Sequence, residues 1–199
     1  MEPVSVGHVS CATEWQRQCV KDACAELMDS KMPDDKRQYD GAVHVDMTYN
    51  PCDEYYTISC TMYNFRLRRT IPLLFTFVKY ANAQAFAKHF ETLFNYFDVL
   101  CPETFEFKLQ GFMLDYSDAQ ILGLEVALGM YALKRKGNVM PQDSAEFLKL
   151  SRARGVEFSN KYCKGCDFHY AQSVDRVSRR VDGDVKEFKK LTNELKQVI

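Results

Sequence analysis

Apolar and polar residues along the chain follow two periods, one typical of helices and one typical of strands. Apolar positions recur at helical spacing from Thr13 to about Met28, with Thr13 as the expected N-cap, whereas residues 1–12 show no periodic pattern. Alternation in the segment Gly41–Pro51 predicts a strand that ends in an Asn-Pro turn. We therefore expect a helix first and then a sheet.

Two more strands are predicted directly after this one. Residues 56–62 alternate between apolar and small polar side chains, and Ile71–Val78 is an apolar run rich in strand-forming residues. The link over residues 49–53 is short, so the first two strands are expected to form an antiparallel hairpin. With the third strand, this makes an antiparallel meander.

The next segments predict helices alternating with strands. Asn82 is the expected cap of a helix with an aromatic-rich stripe, which we interpret as core packing. The stripe consists of Phe86, Phe90, Leu93, Phe94 and Phe97. A fourth strand is predicted over Phe105–Asp115, and a helix from Ser117 to about Leu133 begins with capping-box spacing between Ser117 and Gln120.

The carboxyl-terminal third has a weaker pattern. Residues 134–160 are polar and basic, and we interpret them as an insertion with a short helix over Ser144–Arg152. A fifth strand is predicted at Tyr162 and Cys163, and apolar positions at helical spacing then continue to the end of the chain.

Composition limits the class of protein. The chain has 199 residues, 46% of them hydrophobic, with 14 Phe and 11 Tyr, which predicts one domain with a substantial core. The run Ile71–Val78 is far shorter than a membrane helix and the amino end lacks a signal-peptide pattern, so we expect an intracellular protein. The 8 Cys have no framework spacing, which favours buried reduced thiols over disulfides.

The net charge of −1 is unevenly distributed. Residues 1–133 hold 11 Lys or Arg and 18 Asp or Glu, a balance of −7, whereas residues 134–180 hold 11 and 5, a balance of +6. A basic block after an acidic core is compatible with phosphate binding, although a solvated surface is the commoner origin of such a block.

The predicted order of elements indicates a fold class. A fourth strand can join the meander beside its first strand only through a crossover, which the aromatic-rich helix supplies. Asp46 and Asp115 would then lie side by side, and two carboxylates so placed repel each other unless a cation lies between them. We predict an α/β fold with a ribonuclease H-like mixed sheet, three antiparallel strands plus parallel strands, flanked by helices and followed by a helical carboxyl-terminal segment.

Four segments carry a resemblance to a known family. They are Val45-Asp46-Met-Thr-Tyr-Asn-Pro51, the Ile71-Pro72 strand with its Phe-rich helix, Met113–Ala119, and Lys164–Arg176. In this order, from about Asp40 to the carboxyl end, they resemble the catalytic core of Mutator-like transposases. The resemblance implies a ribonuclease H-like enzyme that cuts and rejoins DNA with an Asp-Asp-Glu triad and divalent metal.

The resemblance assigns two of the three acids. It makes Asp46 the first and Asp115 the second catalytic carboxylate, and both would bind the metal. The third acid is not evident, because the late glutamates, Glu187 and Glu194, lie among lysines on an amphipathic helix, where a solvated face is the better explanation. Two carboxylates can hold one ion, so we expect strand transfer to be slow or absent.

The expected domain organisation follows from these assignments. Residues 1–40 form an amino-terminal helix and connector, and residues 41–170 form the ribonuclease H-like core with an insertion at about 134–160. Residues 171–199 are a helical segment, interpreted as a truncated insertion domain.

A cluster of possible metal ligands lies near the predicted fifth strand. Cys163, Cys166 and His169 have C-x-x-C-x-x-H spacing, and the resemblance makes Cys166 and His169 the family's Cys-x-x-His pair. Zinc is one interpretation, but a structural zinc site needs a fourth ligand. Packed thiols at a strand–helix junction are the other interpretation. His44 shares a strand face with Asp46, where it either steers substrate or is a hydrogen-bonded core residue.

Two arginine triplets are candidate DNA contacts. They are Arg66, Arg68 and Arg69 on the loop after the second strand, and Arg176, Arg179 and Arg180 on a late helix. Surface charge is the simpler explanation of each triplet alone, and a role in DNA binding requires that they share a surface with Asp46.

These observations leave three functions open. The first is a metal-dependent transposase core or a shortened derivative of one, located in the nucleus, with Mg²⁺ or Mn²⁺ as cofactor. The second is a non-catalytic nucleic-acid-binding or protein-interaction domain, and the third is a zinc-stabilised structural module. The expected partners are DNA and a second copy of the chain, with no membrane and no small-molecule substrate.

Overall fold

The structure is a computed structural model, and it describes the chain in several segments. These are residues 8–28, 42–52, 54–64, 67–100, 111–115, 117–135, 144–165 and Lys190. The chain divides into two compact units, residues 1–164 and 165–199, and only Gly165 and Lys190 of the second unit are described. The predicted late helices and the boundary at residue 170 therefore lie in a part that the structure does not describe.

The described residues contain six strands and four helices. The strands are β1 (His8–Cys11), β2 (Ala42–Cys52), β3 (Tyr55–Asn64), β4 (Arg69–Val78), β5 (Gly111–Leu114) and β6 (Cys163–Gly165). The helices are α1 (Glu14–Met28), α2 (Ala83–Leu100), α3 (Asp118–Arg135) and α4 (Ala145–Tyr162). All six strands belong to one sheet, in the order β1-β4-β3-β2-β5-β6.

The sheet is mixed, as predicted. β2, β3 and β4 form the antiparallel meander, and β5 pairs with β2 in parallel on its other side. α2 provides the crossover between β4 and β5, because an antiparallel hairpin link cannot return the chain in the parallel direction. The α/β class and the mixed sheet with flanking helices are therefore confirmed.

The core lies between one face of the sheet and helices α2 and α3. Alternation along β3 buries Ile58, Cys60 and Met62 on this face and leaves the intervening residues half-buried. The aromatic stripe of α2 is fully buried against it, which confirms its interpretation as core. The Phe90 and Phe112 rings meet edge to face with centroids 5.8 Å apart, a favourable geometry for aromatic pairs.

Local capping signals in the sequence also hold. The Asn82 side chain accepts a hydrogen bond from the Ala85 N–H at 2.9 Å, and Thr13 Oγ1 accepts one from the Gln16 N–H at 3.2 Å. Gln120 differs from expectation, since its Oε1 accepts from the Asp115 N–H at 2.9 Å. This bond fixes the backbone between β5 and α3.

Two predictions were wrong in extent. Residues 8–11, expected to lack regular structure, form the edge strand β1 on β4. The short helix expected over Ser144–Arg152 extends to Tyr162, because its small residues Ser151, Gly155 and Ser159 are buried and allow it to pack closely on α3.

A polar cluster links α2 to α3 at the edge of this core. The Tyr131 hydroxyl donates a hydrogen bond to Asp98 Oδ1 and accepts one from Arg135 at 2.8 Å. Arg135 also forms an ion pair with Asp98 at 3.4 Å. Burial, together with the Asp98 carboxylate, raises the pKa of Tyr131, so the hydroxyl keeps its proton.

Tyr131→Phe is expected to lower the free energy of unfolding by about 1 kcal/mol, because it removes both hydrogen bonds while the ring stays packed. Urea unfolding of the variant and the wild type measures this difference. Tyr80→Phe is the matched control, since Tyr80 is 50% exposed. Equal losses in the two variants would show that the Tyr131 hydroxyl contributes nothing specific.

Candidate active site on the polar face of the sheet

Asp46 lies within a strand and not at its end. β2 continues six residues beyond it to Cys52, so the strand has nearly the predicted bounds Gly41–Pro51. Its side chain is exposed, and Oδ1 accepts a hydrogen bond from the Met47 N–H at 2.8 Å. Because Asp46 stays in contact with solvent, its charge does not require a buried partner.

The pairing of β2 with β5 determines where Asp46 lies relative to Asp115. The register runs Ala42 to Gly111, Val43 to Phe112 and His44 to Met113, a constant offset of 69 residues. Continuing this register by two residues brings Asp46 opposite Asp115, which directly follows β5. Neighbouring strands lie about 4.8 Å apart, and paired residues of parallel strands point to the same face.

Asp46 belongs to a group of polar side chains on the face of the sheet opposite the core. We call this group the polar face, and it comprises His44, Asp46, Thr48, Thr57, Ser59 and Thr61. Within it, Asp46 pairs across the strands with Ser59, His44 with Thr61, and Thr48 with Thr57. The strand alternation that buries Val43 and Val45 on the core side therefore presents a carboxylate, an imidazole and four hydroxyls on the other.

His44 remains neutral at neutral pH. Its side chain is half-buried, and burial lowers its pKa below the ordinary value. A neutral imidazole two residues from Asp46 on the same face adds a ligand or a proton acceptor without adding charge. The sequence left the role of His44 open between substrate contact and core packing. Its side chain is half-buried, so its exposure does not decide between these two roles.

One hydroxyl of the polar face has an unmet hydrogen-bonding capacity. Thr57 Oγ1 is buried and has no hydrogen-bond partner among the described residues. Leaving a buried hydroxyl unpaired costs free energy, so this atom is suited to a water or ligand at that position.

The donor set suits a hard cation held by few protein ligands. Mg²⁺ binds through one or two carboxylates, keeps several waters and takes substrate phosphates as further ligands, so Asp46 and Asp115 fit one such ion. Within the described segments no group of three His, Cys, Asp or Glu side chains lies close enough to hold a metal.

The possible zinc cluster is only partly described. Cys163 is half-buried at the junction of α4 and β6, and burial, then the Glu125 carboxylate, raise the pKa of its thiol. A protonated thiol is a weak metal ligand. Cys166 and His169 lie outside the described residues. Cys19 and Cys60 are also free and buried, as reduced thiols were expected to be.

The first arginine triplet lies away from Asp46. Arg69 pairs with Asn64 at the end of β3, whereas Asp46 pairs with Ser59, five residues back along the same strand. Five strand residues span about 17 Å, so Arg68 and Arg69 lie at one end of β4, well separated from Asp46 in the middle of β2. The remaining arginines, Arg66, Arg176, Arg179 and Arg180, lie outside the described residues.

The clearest grooves on the described surface are elsewhere. One, of about 330 Å³, lies between α2 and α3 and is lined by Ala87, Lys88 and Met130 among others. Another, of about 600 Å³, lies along α4 beside Leu148, Arg152 and Val156. Neither groove is lined by a residue of the polar face.

Sequence reasoning named the two candidate acids but not the polar residues around Asp46. Ser59 and Thr57 gave no motif, because small hydroxyl residues in an alternating strand are ordinary. Only cross-strand pairing assigns them to the same face as Asp46. The sequence signal that could have identified them is the alternation of β3, in which Thr57, Ser59 and Thr61 are the polar positions.

Comparisons of the chain with protein-family models, with curated proteins and with solved structures found no match. Among the described helices, none combines the length and apolarity that crossing a bilayer requires.

Proposed function

We propose that this chain is the core of a metal-dependent enzyme that cleaves and joins DNA phosphodiester bonds, similar to a Mutator-like transposase. The sheet would act as a ribonuclease H-like platform, with Asp46 and Asp115 as the catalytic carboxylates. The observation that carries the proposal is the parallel register of β2 with β5, whose continuation pairs these two acids.

The chain's own residues have distinct parts in this proposal. Asp46 and Asp115 would hold one Mg²⁺ or Mn²⁺, which supplies Lewis acidity at a phosphoryl oxygen and activates water or a DNA 3′ hydroxyl. Ser59 would donate a hydrogen bond to a non-bridging phosphate oxygen on the same face. His44, neutral at the pH of the cell, would accept a proton or orient a bound water.

A non-catalytic domain that binds nucleic acid or protein is the second candidate. It is favoured by the absence of a third metal ligand within the described segments. In that case the polar face would bind a phosphate backbone without cutting it. Nicking of DNA with Mn²⁺ present distinguishes the two, because only the first function produces it.

Mn²⁺ is expected to raise the melting temperature of the wild type, and Asp46→Asn and Asp115→Asn are expected to abolish that rise. The physical reason is that a ligand bound only to the folded state stabilises it by an amount that grows with the logarithm of ligand concentration relative to the dissociation constant. Differential scanning fluorimetry at increasing Mn²⁺ concentration measures the shift.

Asp22→Asn is the matched control, since Asp22 is an exposed acid on α1 whose carboxylate only accepts a hydrogen bond from Gln18. It should keep the full wild-type shift. A Mn²⁺ shift of equal size in wild type, Asp46→Asn and Asp22→Asn would refute the metal site.

A further inference from the structure

An exposed aromatic and arginine surface lies at the end of the sheet away from Asp46. We call it the stacking patch, and it comprises Trp15, Leu67, Arg68 and Arg69. Trp15 is 53% exposed and Leu67 is 43% exposed. The guanidinium carbon of Arg69 lies 5.9 Å from the centroid of the Trp15 ring, within the range of cation–π contact.

The helix that carries Trp15 is fixed at its start. Thr13 and Gln16 form a reciprocal capping box, in which the Thr13 N–H donates to Gln16 Oε1 at 2.6 Å and the Gln16 N–H donates to Thr13 Oγ1 at 3.2 Å. Cys19 and Val20, one turn on, are buried in the core. The indole is therefore held out into solvent by a rigid backbone.

The turn that carries the arginines is also fixed. Asn64, itself 1% exposed, accepts a hydrogen bond from the Leu67 N–H at 2.8 Å. Arg68 has a φ of 50°, a left-handed conformation that costs free energy in a residue with a side chain. The turn places Arg68 directly before Arg69 in the chain, and the guanidinium of Arg69 lies beside Trp15.

The chemistry of this surface selects a ligand with flat rings and negative charge. Aromatic faces beside arginines bind single-stranded nucleic acid by stacking on unpaired bases and pairing with the phosphates. A duplex keeps its base faces covered and offers only phosphates here. Two acids are described on the same stretch of α1, Glu14 and Asp22, and Asp22 accepts a hydrogen bond from Gln18.

We propose that the stacking patch binds single-stranded nucleic acid, with a base on Trp15 and phosphates on Arg68 and Arg69. Strand alternation places Arg69 on the side of buried Ile71, the core side of the sheet, whereas Asp46 is on the polar face. The patch is thus separate from the two carboxylates in both face and position along the strands. It requires no metal and does not rest on the proposed DNA cleavage.

The protein contains its own probe of this site, because Trp15 is the only tryptophan of the chain. Oligothymidylate of about 12 nucleotides, a length within the range that a single domain covers, should quench Trp15 emission to saturation in EDTA. At about 50 mM salt the affinity should be highest, and log K should fall by ~0.7 per log unit of salt for each phosphate contact. A blunt duplex and oligoglutamate should give no comparable quenching.

Substitutions in the stacking patch distinguish the contribution of base stacking to affinity from the contribution of charge. Trp15→Ala should weaken binding of a labelled oligothymidylate about tenfold by anisotropy, since stacking on one aromatic is worth that much. Trp15→Phe should retain part of the affinity and covers the case in which the alanine variant fails to fold. Arg68→Glu with Arg69→Glu should weaken binding and flatten its salt dependence. Tyr80→Ala, which removes a 50% exposed aromatic outside the patch, should change nothing.

These binding measurements test the stacking patch without requiring catalytic activity. Asp46→Asn should bind oligothymidylate as the wild type does, even if the metal site proves absent. Three results would each overturn the patch: no saturable quenching, equal quenching by oligoglutamate, or unchanged affinity in Trp15→Ala.

Discussion

Replacing Gly129 or Gly155 with alanine is expected to lower the free energy of unfolding by about 3 kcal/mol, the upper part of the range for overpacked sites. A Cβ added at Gly129 would lie 1.9 Å from the Ser151 carbonyl oxygen, and one at Gly155 would lie 2.0 Å from the Glu125 carbonyl oxygen. Both oxygens belong to helix backbone, so α3 and α4 would have to separate. Separation would expose apolar surface that the two helices now bury between them.

Helix propensity alone predicts the opposite sign. Alanine is favoured over glycine in a helix interior by about 1 kcal/mol, so an unpacked helix would gain stability. Urea unfolding of each variant therefore distinguishes packing from propensity in its direction as well as its size. Asn160→Ala, at an exposed position of α4, is the control and should leave stability nearly unchanged. Gly155→Ala as stable as the wild type would contradict the close contact of the two helices.

The second large effect is a loss of stability in acid that depends on His89. This residue is fully buried in α2, and its Nδ1 lies 2.7 Å from Thr76 Oγ1. Nε2 is buried with no hydrogen-bond partner among the described residues. Burial lowers the pKa of His89 from 6.5 to about 3, because a protonated ring would place an unpaired N–H donor and a charge in the core.

The direction of the change in stability follows from the number of protons that the folded and unfolded states bind at His89. Below the unfolded pKa of 6.5 the unfolded chain takes up a proton at His89 that the folded chain refuses until about pH 3. Stability is therefore unaffected by His89 above about pH 7 and falls as the pH drops, by up to about 1.4 kcal/mol per pH unit. Between about pH 7 and pH 4 the expected loss is about 3 kcal/mol.

His89→Gln isolates this contribution. Glutamine keeps a polar group near Thr76 but does not titrate, so the variant should lose about 3 kcal/mol less than the wild type over the same pH interval. Urea unfolding at several pH values measures both slopes, and the difference removes the contribution of carboxylates that protonate in both proteins. His44, whose pKa burial also lowers, contributes in the same direction in both. Identical slopes would mean that His89 is not held neutral by the core.

Much of the local structure was predictable because its causes are local. The Thr13 and Asn82 caps, the aromatic stripe of α2 and the alternation of β3 each depend on residues within a few positions of one another. The meander and the parallel crossover were also predictable, since short links force antiparallel pairing and a long helical link permits a parallel neighbour. These features together account for the α/β class and the mixed sheet.

The features that the sequence did not predict depend on contacts between segments far apart in the chain. β1 carries no pattern of its own and is a strand only because the edge of β4 pairs with it. The sequence pattern of α4 predicts a short polar helix. Its full length depends on glycine and serine residues that pack on α3, and hydrophobic periodicity does not predict such a contact. The burial of His89 likewise depends on Thr76 of another element.

The alternating and helical patterns of the sequence predicted most of the helices and strands and placed Asp46 and Asp115 on predicted strands. Tertiary structure decided the pairing of β2 with β5, whose continuation brings these acids opposite one another, together with the solvent exposure of Asp46 and the separation of the Arg68 and Arg69 turn from it. The physical reason is that strand pairing sums weak interactions between distant segments. The alternating pattern excludes a shift of the pairing by one residue, which would move every side chain of a strand to the other face, but contacts between distant segments decide among the pairings that remain.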